Sequence, residues 1–303
     1  MIVALVTPLH PDGTLNLAAF QQLCQFVIAS GCQAVLVGGT TGEGPLLSRE
    51  ERTQLVAAAV AAIGSERVVA HIGDLTTAGA VALAMAAERA GASALTALTP
   101  WFYAQDEVSL LTHYTAVAAA TSLPLYLYNL PARSGNVLPP GVVSQLRERS
   151  ARIVGIKDSG GDLLLFQEYL AAGGADFAGL WGPDGLALGA LAHGAAGLVS
   201  GNANFVPELI VGLYRAFQAG DWVTARQLQA QVQQVRAALR DGAHLGLFKW
   251  AVSWRGIPAG APRPPLRAPS TEEAAQAERT LRLLGFSANS ALTTPSSGGL
   301  FSR

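Results

Sequence analysis

Short apolar runs alternate with longer amphipathic stretches from the N-terminus to about residue 220. The runs are IVALVTP (Ile2–Pro8), AVLVGG (Ala34–Gly39), RVVAHIG (Arg67–Gly73), ALTALTP (Ala94–Pro100), LPLYLYN (Leu123–Asn129), IVGIK (Ile153–Lys157), FAGLWG (Phe177–Gly182) and GLVSG (Gly197–Gly201). Most end in Gly, Pro, Asn or a polar turn, the pattern of strands buried on both faces. Helical periods follow them, as in SREERTQLVAAAVAAI, where Ser48 and Glu51 have the spacing of a capping box. Eight strands with crossover helices in residues 1–220 predict an α/β fold, a (β/α)8 TIM barrel. A doubly wound open sheet is the alternative, but it usually has fewer strands and a dinucleotide fingerprint, and neither applies here.

The pattern changes beyond residue 220. Residues 221–286 show only helical periods, including WVTARQLQAQVQQVRAAL, broken by the Pro-rich GIPAGAPRPPLRAPS. They predict a C-terminal helical region appended behind the barrel. Residues 287–303 are small and polar and predict a disordered tail.

Composition narrows the function. Half the residues are hydrophobic, 14% are charged and the net charge is −1, with no basic cluster to neutralise phosphates or an acidic membrane surface. Nucleic-acid and membrane partners are therefore not expected. No apolar run reaches the length of a membrane span and no basic leader precedes one, which predicts a cytoplasmic protein. Cys24 and Cys32 form no redox or metal motif and read as small buried thiols. The five histidines are scattered singly, so no metal site is predicted.

Of the 20 basic residues, eighteen are Arg and only two are Lys. One of the two, Lys157, closes an apolar strand in RIVGIKDSGG. A lysine there can simply mark where a strand meets water, its stem covering apolar surface. In a parallel barrel, however, the C-terminal strand ends carry the chemistry. Those ends hold Thr7, Thr40, Thr41, Asp74, Thr99, Tyr128, Asn129, Lys157 and Ser200. An amine can attack a carbonyl carbon and form a Schiff base, whereas a guanidinium cannot. Alternation places Ile153, Gly155 and Lys157 on one face, with Gly155 leaving a void beneath the lysine, and Tyr126 with Tyr128 on one face of the neighbouring strand. Asp158 and Glu43 read as turn or helix-entry carboxylates, with a site role left open. GGTTGEG fits neither nucleotide-loop spacing.

Three motifs, GGTTGEG (Gly38–Gly44), LYNLPARSG (Leu127–Gly135) and GIKDSGG (Gly155–Gly161), fall in order at the ends of strands two, five and six. With VTP near the start, LTP before Trp101 and GLVSGNAN (Gly197–Asn204), they resemble the dihydrodipicolinate synthase / N-acetylneuraminate lyase family of class I aldolases over the whole barrel. The resemblance implies a lyase that needs no cofactor. Lys157 would form an imine with pyruvate or another 2-oxo acid, Tyr128 would shuttle protons, and Thr40 would link to that relay. The Thr40–Thr41 pair would hold the substrate carboxylate, and Arg133, Gly182 and Val199 would complete the substrate-binding set. A lysine amine at its ordinary pKa is almost wholly protonated near neutrality, so such chemistry needs the low-dielectric setting of a barrel interior. The family is typically tetrameric, so a homo-oligomer, tetramer or dimer, is implied.

Arg133 resembles the arginine with which dihydrodipicolinate synthase-like members grip the carboxylate of aspartate semialdehyde; a planar guanidinium suits that task. Two features depart from the pattern. TPWFY puts Phe102 where the family commonly has a relay tyrosine that reaches into a neighbouring subunit, with Tyr103 beside it. The positions resembling a lysine-feedback site hold Leu75, Gly79 and Trp101, which predicts no inhibition by lysine. The favoured expectation is a dihydrodipicolinate synthase-like condensation of pyruvate with aspartate semialdehyde, a step of lysine biosynthesis. The alternatives are an aldolase for 2-keto-3-deoxy sugar acids or N-acetylneuraminate, and a non-catalytic 2-oxo-acid sensor.

Overall fold

The computed structural model describes residues 1–292. Eight parallel strands pair in sequence order: β1 (Ile2–Ala4), β2 (Ala34–Val37), β3 (Val68–His71), β4 (Ala94–Leu98), β5 (Leu125–Asn129), β6 (Ile153–Asp158), β7 (Ala178–Trp181) and β8 (Gly197–Ser200). Strand β8 pairs back with β1 and closes the (β/α)8 TIM barrel. The helices of the barrel are α1 (Leu17–Ala29), α2 (Arg49–Ile63), α3 (Thr77–Arg89), α4 (Glu107–Ala119), the single turn α5 (Pro131–Ser134), α6 (Pro140–Arg149), α7 (Leu163–Gly173), α8 (Ala187–Ala192) and α9 (Pro207–Gln218). Three more follow: α10 (Trp222–Ala238), α11 (Leu245–Trp254) and α12 (Thr271–Leu283). Of the tail expected at 287–303, Asn289 and Ala291 donate backbone hydrogen bonds to the carbonyls of Trp254 and Arg255. Residues 293–303 lie outside the described residues.

Local sequence sets most helix starts. Asn16, Thr76, Asp106, Asp162 and Asp221 each accept a first-turn N–H on their side chains. Ser48 with Glu51 forms both bonds of the capping box that its spacing predicts, and Ser270 with Glu273 forms a second.

Strand alternation sorts the core into two layers. Ala4, Leu36, Val69, Ala94 and Val199 meet inside the barrel, joined by Ile2, Tyr126 and Leu180. The opposite faces, including Val35, Val68, Leu95, Leu125 and Ile156, pack beneath the helices. In β6 the expected alternation fails at one place. Leu125 pairs with Ile153 and Tyr126 with Gly155, so the register shifts across Val154. Ile153 consequently joins Ile156 in the outer core, while Gly155 and Lys157 face inward. The void beneath Lys157 is small, because Tyr126 fills most of it. A Cβ on Gly155 would sit 2.6 Å from the Tyr126 ring and 2.3 Å from the Ala178 carbonyl, so the glycine admits Tyr126 as the floor. The space left there, about 10 Å³, is bounded by residues such as Leu180 and Val199 and gives the amine a dry underside.

The C-terminal helices are not confined to the back of the barrel. Gln229 and Gln233 of α10 donate to the Asp184 and Gly185 carbonyls, at 3.0 and 2.6 Å, in the loop after β7. This clamp brings α10, and α11 after it, to the mouth where the strands end.

Candidate active site

A cavity of about 370 Å³ opens at the C-terminal mouth. Thr40, Thr41, Tyr128, Arg133, Lys157, Gly182 and Val199 all line it. The other polar strand ends do not. The Thr7 hydroxyl donates to the Gly42 carbonyl at 2.6 Å, and Asp74 caps the Thr76 amide. Thr99 Oγ1 donates to Ser134 Oγ at 2.9 Å, and Asn129 Nδ2 donates to Asp158 Oδ1 at 2.7 Å. Ser200 Oγ donates to Asp184 Oδ2 at 2.7 Å. These residues hold loops, whereas the inward-facing ones form the site.

Lys157 is 5% exposed, and its Nζ lies 3.9 Å from the centre of the Tyr128 ring. Among the described residues no carboxylate is ion-paired with it. Its neighbours are instead the phenol and an apolar floor. The buried Tyr128 experiences opposed effects. Burial raises its pKa, but the Lys157 charge and hydrogen bonding with Lys157, Thr40 and Ser159 outweigh that and leave it below the ordinary tyrosine value. A phenol so placed can exchange a proton with the amine or with a group bonded to it. On its other side, His71 of β3 meets the Tyr128 ring edge-on, with centroids 5.7 Å apart and planes at 79°. Burial first, then the Arg52 and Lys157 charges, push His71 well below the usual histidine range, so this neighbour is neutral.

Thr40 and Thr41 follow β2 in a knotted turn. The amides of Gly42 and Gly44 both donate to the Gly39 carbonyl, and a Cβ on Gly44 would lie 2.1 Å from the Gly38 carbonyl oxygen. Among the described residues the amides of Thr40 and Thr41 have no acceptor, which leaves two N–H groups beside two hydroxyls for an anion. Arg133 stands on α5 at the exposed rim. Gly182 is needed for close approach: its amide donates to the Asp158 carbonyl at 2.7 Å, and a Cβ would lie 2.1 Å from Ser159 Oγ.

Several lining residues are absent from the sequence-based set. Ser159, two positions beyond Lys157, touches the Tyr128 phenol, and that adjacency was its only signal. Asp184 accepts from Ser200 and Asn202 at 2.7 Å each; burial raises its pKa despite those bonds. Arg236, Leu245 and Phe248 come from α10 and α11, far along the chain, with no local pattern to mark them. Of the two carboxylates left open, Asp158 faces outward to Asn129 and the Gly160 amide, and Glu43 pairs with Lys249. Phe102 is 79% exposed and has a φ of 80°, a strained backbone for a bulky residue, with the 66%-exposed Tyr103 edge-on at 4.9 Å. Among the described residues no cluster of His, Cys, Asp and Glu fits a metal, and no helix is long and apolar enough to cross a membrane.

Residues 1–284 match the model of the dihydrodipicolinate synthetase family. A protein of Halobacterium salinarum described as an uncharacterized DapA-like lyase is 36% identical over 287 residues, covering 94% of each chain. The 4-hydroxy-tetrahydrodipicolinate synthase of Methanopyrus kandleri is 33% identical over 288 residues, covering 94% of this chain and 96% of its own. A crystal structure of an Escherichia coli K12 prophage protein of the dihydrodipicolinic acid synthase family, in complex with pyruvate, superposes with a TM-score of 0.89 at 25% identity, covering 94% of this chain and 98% of that one. The chain belongs to the dihydrodipicolinate synthetase family and is an enzyme of the lyase class.

Proposed function

We propose that this lyase forms an imine between Lys157 and pyruvate and condenses it with a carboxylated aldehyde, as a 4-hydroxy-tetrahydrodipicolinate synthase does with aspartate semialdehyde. The observation that carries this reading is the buried, carboxylate-free Lys157 amine, 3.9 Å from the Tyr128 ring centre, in one cavity with Thr40 and Thr41. The amine attacks the ketone carbon, and Tyr128 passes protons on and off the resulting carbinolamine until water leaves. The iminium then withdraws electrons, the neighbouring methyl loses a proton, and the enamine carbon bonds to the aldehyde carbon. Hydrolysis or attack by the acceptor's own amine releases Lys157. The Thr40–Thr41 amides and hydroxyls bind the 2-oxo-acid carboxylate, and Arg133 meets the acceptor's carboxylate at the rim.

Borohydride added with pyruvate tests this directly: peptide mapping should find the reduced adduct on Lys157 alone. An adduct elsewhere, or none, refutes the reading. Asp184, Asn202 and Arg236 on the far wall favour a second reading, a 2-keto-3-deoxy sugar acid aldolase, because they suit a hydroxylated acceptor. Turnover of aspartate semialdehyde and of a sugar-acid panel by one preparation separates the two, and turnover of neither leaves a 2-oxo-acid sensor. We further propose that the enzyme works in the cytoplasm as a homo-oligomer, with Phe102 and Tyr103 covered by a second copy. Sedimentation should then show an assembly that Phe102→Glu dissociates.

A further inference from the structure

The second of the chain's two lysines is buried more deeply than the first. Lys249 of α11 is 1% exposed, and its Nζ donates to Glu43 Oε1 at 2.9 Å and to the Ala261 carbonyl at 2.8 Å. The other carboxylate oxygen of Glu43 accepts the Arg263 backbone N–H at 2.7 Å. Glu43 belongs to the same turn as Thr40 and Thr41 and holds a left-handed backbone, φ 60°, that aims its side chain away from the cavity toward the C-terminal region. Arg263 extends the grip: its guanidinium donates to the Leu46 carbonyl at 2.9 Å and pairs with Glu51. From the barrel side, Thr7 holds the turn at Gly42. The turn therefore lies between Thr7 on one flank and Lys249 with Arg263 on the other. Phe248, next to Lys249, lines the cavity and approaches Gly201 beside Thr41.

A buried ion pair is a poor way to add stability, because desolvating both charges offsets most of their attraction and apolar residues of similar volume serve as well. A pair with three directional hydrogen bonds does, however, fix where its backbone sits. We propose that Lys249 is a positioning residue for the 2-oxo-acid carboxylate: through Glu43 it sets the Thr40–Thr41 turn, so the C-terminal helical region shares in binding the substrate of the barrel. This rests on the imine reading of Lys157.

The test measures how borohydride trapping of Lys157 depends on pyruvate concentration, alongside thermal unfolding, in wild type, Lys249→Met, Lys249→Arg and the double variant Glu43→Gln/Lys249→Met. In Lys249→Met the half-saturating pyruvate concentration should rise about 10-fold or more with the final extent of trapping unchanged, the signature of lost ground-state binding. Lys249→Arg keeps the charge and should restore most of the affinity. The double variant removes both charges, so its unfolding midpoint should return toward wild type while the weak half-saturation persists. It also carries the test if Lys249→Met fails to fold. In a Thr41→Ala background, Lys249→Met should add less than about threefold, because both changes act on one turn. An unchanged half-saturation in a folded variant, effects that multiply with Thr41→Ala, or a double variant with wild-type affinity would overturn the proposal. Wild type that traps no pyruvate would instead refute the imine reading beneath it.

Discussion

Lys157 and Lys249 are both removed from water, at 5% and 1% exposure, but their surroundings differ in kind. Lys249 has a carboxylate and a carbonyl within 2.9 Å, so two of its three N–H donors are committed to protein partners. Lys157 has a phenol ring, an apolar floor and open cavity above it. The same side chain becomes a fastener where a counter-charge meets it and a candidate nucleophile where none does. For Lys249, desolvation lowers the pKa and Glu43 opposes the shift, but the amine remains net lowered. Burial alone therefore does not mark a reactive lysine; the absence of a carboxylate beside an accessible space does.

Breaking Lys157 gives the largest expected effect. Lys157→Arg should lower turnover by at least about 10⁴-fold, on the scale of losing a nucleophile, while the thermal midpoint moves little because no ion pair is lost. Steady-state kinetics with melting curves would check both halves, and retained turnover would erase the contrast. Lys249→Met should show the reverse balance, costing about 3–5 kcal/mol in denaturant unfolding, because Glu43 is left buried without its cation. Tyr128→Phe sharpens the Lys157 side: turnover should fall roughly 10²-fold or more with the loss of a positioned proton carrier. The pH profile should also lose its alkaline limb, which in wild type lies below that of a free phenol because Tyr128 is shifted down. Phe102→Tyr should change turnover by only a few-fold, about the scale of one added proton-relay contact. An increase would show that the missing phenol limits the relay, and no change would show that Ser159 and Thr40 supply it.

The smallest expected signal concerns burial without any partner. Burial pushes the thiols of Cys24 and Cys32 up to about 12. At pH 8 the native protein should therefore resist iodoacetamide over hours, whereas denaturant exposes both thiols. Rapid alkylation of the native protein would show that these buried sites open readily.

Local patterning was enough to set the order of strands and helices, the closed barrel and the strand ends from which Thr40, Thr41, Tyr128 and Lys157 project. Those features follow from periods and turn residues written within a few positions of one another. The three-dimensional structure alone decided that the register shift at Val154 turns Ile153 outward, and that Tyr126 fills the space above Gly155. It also decided which polar strand ends enter the cavity and which tie down loops. The walls given by Arg236 and Phe248, and the bond between Glu43 and Lys249 across 206 residues, were equally invisible beforehand. Contacts between distant segments depend on how finished elements pack, and packing leaves no pattern in neighbouring residues for periodicity to reveal.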